Sequence, residues 1–403
     1  MRDLVEGKLK AWMVCVAMTL AVSWPEAMAA GLPCANPCPK DFKDWCQYRG
    51  SPDHNNYRKV ADKIRVPKVL WKVDKASVPA VSGDDIYAGG SRLRRIETAS
   101  GEVKLSWQPE GVGPDFQIYG TPVILKDRVI AHASDSRVYA LDRALEKCIW
   151  AAEVPGISLF SGVCDNELFI ISAKNKVVAL EVDSGKERWA FALSRLAAVE
   201  MTPAVADGKV LFGSGDSRFY ALSVDTGEVV WTYEGERVFA WTHPVVSNGK
   251  VFVGDRGGFI NALSLEKGNL IWEQKSGKTG LSTPGIAPGN IIVGFGKVVI
   301  LFDEKTGKPD PKGRTFRTAS NPFGSPTLVG ETLYFGNLDG HLYAFDYKTG
   351  QYKWSFEVGE KQQVHDFVYH NDMLIVSTTE GLYALGNDPK KQKLPSKFVL
   401  FAE

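Results

Sequence analysis

The chain has 403 residues, of which 44% are apolar, 24% charged and 11% aromatic. This globular composition excludes disordered, collagenous and low-complexity classes. Lys and Arg (48) balance Asp and Glu (47), so there is no overall charge footprint for nucleic acid or an anionic membrane. With 39 Gly and 21 Pro among many aromatics, the sequence favours turns and strands over long helices.

Residues 11–24, AWMVCVAMTLAVSW, form an apolar run preceded by Arg2, Lys8 and Lys10 and followed by Ala27-Met28-Ala29. This layout predicts a signal peptide over residues 1–29, cleaved after Ala29, with an uncleaved N-terminal anchor as the alternative. Pro25 and Glu26 interrupt the run too soon for a comfortable membrane span. Gly31-Leu32-Pro33 before Cys34 fits a lipobox poorly. The mature chain is expected to be a soluble monomer in the periplasm or another extracytoplasmic space, reaching a membrane only through a partner or the anchor.

Export makes disulfides the default. Cys34, Cys38, Cys46, Cys148 and Cys164 follow the signal, an odd number that leaves one thiol over. A zinc site from Cys34, Cys38, Cys46 and His54 would match no common ligand spacing. Residues 30–65 form a Cys-bearing lead-in.

An apolar mark then recurs at Ile96, Leu141, Leu180, Leu222, Leu263, Phe302, Phe345 and Leu385, a period of about 41 residues. Trp150, Trp189, Trp231, Trp272 and Trp354 each follow their own mark by nine residues, and Trp107 by eleven. The sixth unit has Pro311 in that place. Between mark and Trp stands a turn containing Gly185, Gly227, Gly268, Gly307 or Gly350. A third register opens a strand at Pro79, Pro122, Pro203, Pro244, Pro284 and Pro326, with Gly162 and Phe367 in the same slot.

The fourth unit shows the whole pattern: strands over 203–206, 209–212, 218–222 and 229–232, separated by Gly/Asp turns. Four short strands joined this way predict an antiparallel meander. A ring of meanders buries what one alone cannot. The expectation is an all-β, eight-bladed antiparallel β-propeller over residues 66–392, followed by a tail at 393–403. Seven blades, with the degenerate sixth unit merged into a neighbour, is the alternative. The eighth unit has no Trp of its own, while residues 68–73 carry Trp71 ahead of the first unit. This segment is expected to complete blade eight and close the ring, with residues 397–401 competing for that edge.

The pattern Ala-Leu-x4-Gly-x3-Trp resembles the tryptophan-docking motif of PQQ-repeat β-propellers, over residues 66–390. Asp44-Trp45-Cys46-Gln47-Tyr48-Arg49-Gly50 looks like the lead-in of exported members. The resemblance is closest to the small BamB-like outer-membrane assembly propellers. It implies a non-catalytic scaffold that binds a protein partner in the cell envelope. The other branch that shares the motif holds pyrroloquinoline quinone (PQQ) and calcium and oxidises alcohols or sugars. Its eight-bladed members are generally much larger, and its alcohol-oxidising members carry adjacent cysteines, which this chain lacks.

Chemistry motifs are thin. Gly254, Gly257 and Gly258 lie between two strands, as in a hairpin and not a phosphate loop. The six His show no metal spacing, and no catalytic, cofactor-binding or metal residue is nominated. Two site expectations remain. Cys148 opens the fourth strand of blade two and Cys164 lies near the first hairpin of blade three, so a disulfide between them is expected, two separate thiols being the alternative. The residues just before the Pro register, Val78, Thr121, Ser161, Thr202, His243, Thr283, Ser325 and Asp366, should line the central channel. There His243 and Asp366 break a run of small hydroxyls. Two positions earlier, Tyr119, Glu200, Trp241 and Phe323 replace plain aliphatics. These six are the candidate partner-binding residues, the alternative being that they only plug the channel.

Overall fold

The computed structural model describes residues 44–194, 197–276, 282–358 and 362–388. The expected signal peptide, Cys34, Cys38 and the C-terminal tail lie outside them. The described strands form six four-stranded antiparallel sheets and one eight-stranded sheet. The larger sheet is two such units joined at Gly90–Ile118. The inner strands are Ala76–Ser82, Ile118–Ile124, Val163–Asp165, Ala204–Ala206, Val245–Ser247, Gly285–Ala287, Pro322–Val329 and Val364–His370. They meet their neighbours around a ring, and Val364–His370 touches Ala76–Ser82 to complete it. Four-stranded units thus repeat around one channel, and residues 285–317 of the sixth unit form a sheet of their own.

Pro67–Asp74 pairs with Gly381–Asn387 as the outermost strand of the last blade. The two ends of the propeller therefore share one sheet, as the stray Trp71 implies. Second strands are buried on both faces, as in Leu168–Ala173, while outer strands such as Glu187–Ala192 alternate between core and solvent. The pattern follows from blades stacking face to face, with only their rims wet.

The docking tryptophans show how blade joins blade. Five indole Nε1 groups donate to the carbonyl two residues past the apolar mark of the next blade: Trp71 to Thr98 (2.9 Å), Trp150 to Val182 (2.7 Å), Trp189 to Val224 (2.8 Å), Trp231 to Leu265 (3.1 Å) and Trp272 to Glu304 (3.2 Å), while Trp354 donates to Ile64 O of the lead-in (3.3 Å). The ring lies on the turn glycine of that blade. A Cβ at Gly227, where φ is +72°, would come within 2.7 Å of Trp189. Where Trp is missing, another donor takes the carbonyl. In the sixth blade Arg314 Nη1 donates to Tyr347 O (2.7 Å). Between blades one and two Tyr87 donates to Arg143 O (2.6 Å), and Trp107 instead packs edge-on against Tyr139.

The expected Cys148–Cys164 bridge is absent from the structure. Cys148 begins the outermost strand of blade two, and Cys164 sits on the innermost strand of blade three. Their hairpins share a face, but three strand spacings, about 14 Å, separate their radial positions. A disulfide requires Cα atoms within about 7 Å.

Candidate functional site

The lead-in is the least anticipated element. Residues 44–64 cross one end of the channel and bond to the inner strands at one repeated position, two residues past the Pro register. Trp45 exchanges backbone bonds with Val81. Ile124 N–H donates to Cys46 O, Val205 to Pro52 O and Val246 to Asp53 O. The Gln47 amide takes both backbone groups of Cys164, Arg58 N–H donates to Leu328 O, and Trp45 Nε1 donates to Tyr369 O (3.0 Å). Seven of the inner strands named above are thus tied to one strap. Partner-hungry inner-strand groups and the aromatic and amide side chains of residues 44–58 satisfy each other.

From the strap, Tyr48 and Arg49 enter the channel. The Tyr48 ring meets His54 edge-on at 5.1 Å and His243 at 5.0 Å. His54 Nδ1 lies 2.8 Å from Pro244 O and therefore carries the proton. Burial and the Arg49 charge hold the His54 imidazole well below its ordinary pKa and push His243 down to about 3. Between the strap and the inner strands lies a cavity of about 10 Å³ beside Tyr48, Arg49, Asn56, Thr121 and Asp366, room for one water-sized particle.

The residues preceding the Pro register are stitches between blades. Thr121 N–H donates to Ser161 Oγ (2.8 Å), Thr202 N–H to His243 Nδ1 (2.8 Å) and His243 N–H to Thr283 Oγ1 (3.2 Å). Asp366 likewise takes the Ser325 N–H. In four of these slots a short side chain, Ser161, His243, Thr283 or Asp366, supplies the acceptor. Gly120 permits the close approach: at φ +58°, a Cβ there would stand 2.9 Å from Ser161 Cα. His243 and Asp366 therefore face the channel interior and its stitching, not an outer surface.

Two positions earlier, at Glu200 and Trp241, the chain lies ahead of the inner strand, at the mouth away from the strap's backbone contacts. Trp241 is 62% exposed and holds φ at +66°, a left-handed backbone that a bulky residue rarely adopts. The Arg256 guanidinium stacks 4.0 Å from its ring centroid and binds Glu200 Oε2 at 2.8 Å, while Trp241 N–H donates to Glu200 O (3.0 Å). Leu159, in the same slot of blade three, is 65% exposed. Tyr119 packs near His132 instead, ring to ring at 6.2 Å. Phe323 pairs opposite Gly336 in its sheet.

The structure thus brings Glu200 and Trp241 together, places His243 and Asp366 deeper, and sets Tyr119 in another blade. Sequence reasoning missed Tyr48, Arg49, Arg256 and Leu159. Arg256 was hidden in a hairpin and Leu159 read as a plain aliphatic. Among the described residues no His, Cys, Asp and Glu gather into a metal-sized cluster, and no helix is long and apolar enough to cross a membrane.

The PQQ-repeat family described as outer membrane protein assembly factor BamB matches residues 148–238 and 235–373, more than half of the chain. This chain belongs to that family. Its fold is also that of BamB from Moraxella catarrhalis, with a TM-score of 0.63, 18% identity, and coverage of 82% of this chain and 100% of that one. Quinohemoprotein alcohol dehydrogenase from Comamonas testosteroni superposes with a TM-score of 0.71 at 13% identity, covering 90% of this chain and 83% of that one. A europium-containing methanol dehydrogenase gives 0.65 at 11% identity, covering 84% and 90%. No curated protein matches the sequence. Identities this low speak for the shared propeller and not for a shared activity.

Proposed function

We propose that this propeller is a non-catalytic, exported scaffold that binds a protein partner in the cell envelope, in outer-membrane or envelope protein assembly. It works as a monomer through the mouth opposite the strap. One observation carries the reading: Trp241 is held exposed in a left-handed backbone, braced by Arg256 and Glu200. Exposed aromatics in strained conformations mark binding surfaces. Membership of the assembly-factor family supports an envelope protein partner.

The rival activity is PQQ- and calcium-dependent oxidation of alcohols or sugars. Small-molecule sites measure about 300–1,000 Å³, whereas the cavity beside Tyr48 and Arg49 measures about 10 Å³. Tyr48, Arg49 and His54 crowd the buried space beside that cavity, which supports the scaffold reading over the quinone one. Two measurements test the proposal. Purified protein given PQQ, calcium, alcohols or aldoses and a dye acceptor is expected to show no turnover. A pull-down from envelope extract is expected to capture a partner with the wild type and lose it with Trp241→Ala. Dye reduction, or unchanged capture by the folded variant, would overturn the reading.

A further inference from the structure

The polar atoms at the channel core are mismatched in number. Arg49 is 4% exposed, and none of its three guanidinium nitrogens has a hydrogen-bond partner, although the group carries five N–H donors. Asp366 and Asp53 act on it only through space. The Asp53 carboxylate is already taken by Ser51 Oγ (2.6 Å) and Asn55 N–H (3.1 Å). The hydroxyl of Thr121 is buried and unpartnered as well. The acceptors left over nearby are Asn56 Oδ1 and His54 Nε2. Arg49, Thr121, Asn56 and Asp366 line the one cavity of about 10 Å³. A buried, unpaired guanidinium is strongly unfavourable. A small anion would supply both the opposite charge and the missing acceptor.

We propose that this cavity binds one small monovalent anion of chloride size, held by the Arg49 guanidinium and the Thr121 hydroxyl, and that the anion locks the strap into the channel. The site is independent of the partner-binding reading, since it lies behind the other mouth. Asp366 faces the same space. Burial raises its carboxyl to about 6 against the opposing pull of Arg49, so the anion is held best when Asp366 is protonated and binding tightens as pH falls through that value. The other titratable groups around it do not compete in that range. Tyr48 stays a neutral phenol because burial raises its pKa, and the imidazoles of His54 and His243 stay neutral because theirs are lowered.

The test uses the full chain crystallised near pH 5 with sodium bromide, with data collected at the bromine edge. An anomalous peak between Arg49 and Thr121 is expected. In parallel, melting is followed in sodium chloride and in sodium gluconate at equal ionic strength. Chloride should stabilise the wild type saturably, by about 100-fold in the folding constant at 100 times its Kd, and should not stabilise Arg49→Met. Should Arg49→Met fail to fold, the anomalous map and the chloride-against-gluconate comparison decide alone. A water without anomalous signal overturns the proposal, as does a direct Arg49–Asp366 ion pair. A peak without a saturable chloride effect, an adventitious ion only, overturns it too.

Discussion

Trp241 holds φ at +66° with most of its surface exposed, so its present conformation costs stability and returns little through burial. Trp241→Gly removes the strain, because Gly populates this region freely. It should raise stability by about 1 kcal/mol in urea melts while lowering partner capture by at least about tenfold. A gain in stability with full capture would remove Trp241 from the binding surface. His243 is different. Its Nδ1 accepts the Thr202 N–H, so His243→Ala should cost about 1–3 kcal/mol by orphaning that donor, read as a lower urea midpoint. A pH profile follows from the same core. His54, His132 and His243 are held neutral by burial. Each releases stability as pH falls below the unfolded imidazole value of about 6.5, where only the unfolded chain takes up the proton. Asp366 has the opposite sign: its raised pKa lets the folded chain gain a proton between about 6 and the unfolded value. Stability should therefore fall from pH 7 to pH 5, and Asp366→Asn should steepen the fall by about 1 kcal/mol.

At the scale of the strands and their joints, the blade interface is a donor over a glycine turn aimed at one carbonyl. The missing Trp of the sixth unit shows that the donor matters more than the indole. Pro311 cannot supply it, and Arg314 does so from three residues on, its guanidinium fixed by Asp310 at 2.8 Å. Asp310 is held below the usual carboxylate range by that bond. The contribution is thus complete above the unfolded carboxylate pKa and is lost as pH falls through the lower folded value. Arg314→Ala should cost about 2–4 kcal/mol, close to what Trp231→Ala costs by cavity formation, about 3–5 kcal/mol; equal effects within error in a chemical melt would support the substitution of roles. The repeats made this architecture legible. Period, turn glycines and the extra strand around Trp71 place nearly every sheet, because each repeats a local rule many times over. Arg314 was not legible, since a side chain that replaces another from a shifted position leaves no register. The Cys148–Cys164 pairing failed because hairpin faces follow from sequence order, whereas radial depth within a blade follows only from counting strands outward.

For the whole molecule, the strap divides the propeller into two unlike ends. The mouth residues were legible as a register, but their depth was not: Trp241 and His243 differ by two positions, yet one is a surface and the other a stitch. The strap was read only as a lead-in, because nothing periodic marks it. Its partners are one or two backbone groups on each of seven inner strands. The most direct test of the account places a photo-crosslinker at position 241 in one variant and at Asp207, in a hairpin at the strapped end, in another, each expressed in the native cell. Envelope-protein adducts are expected from position 241 and none from position 207. Adducts from position 207 alone would contradict it.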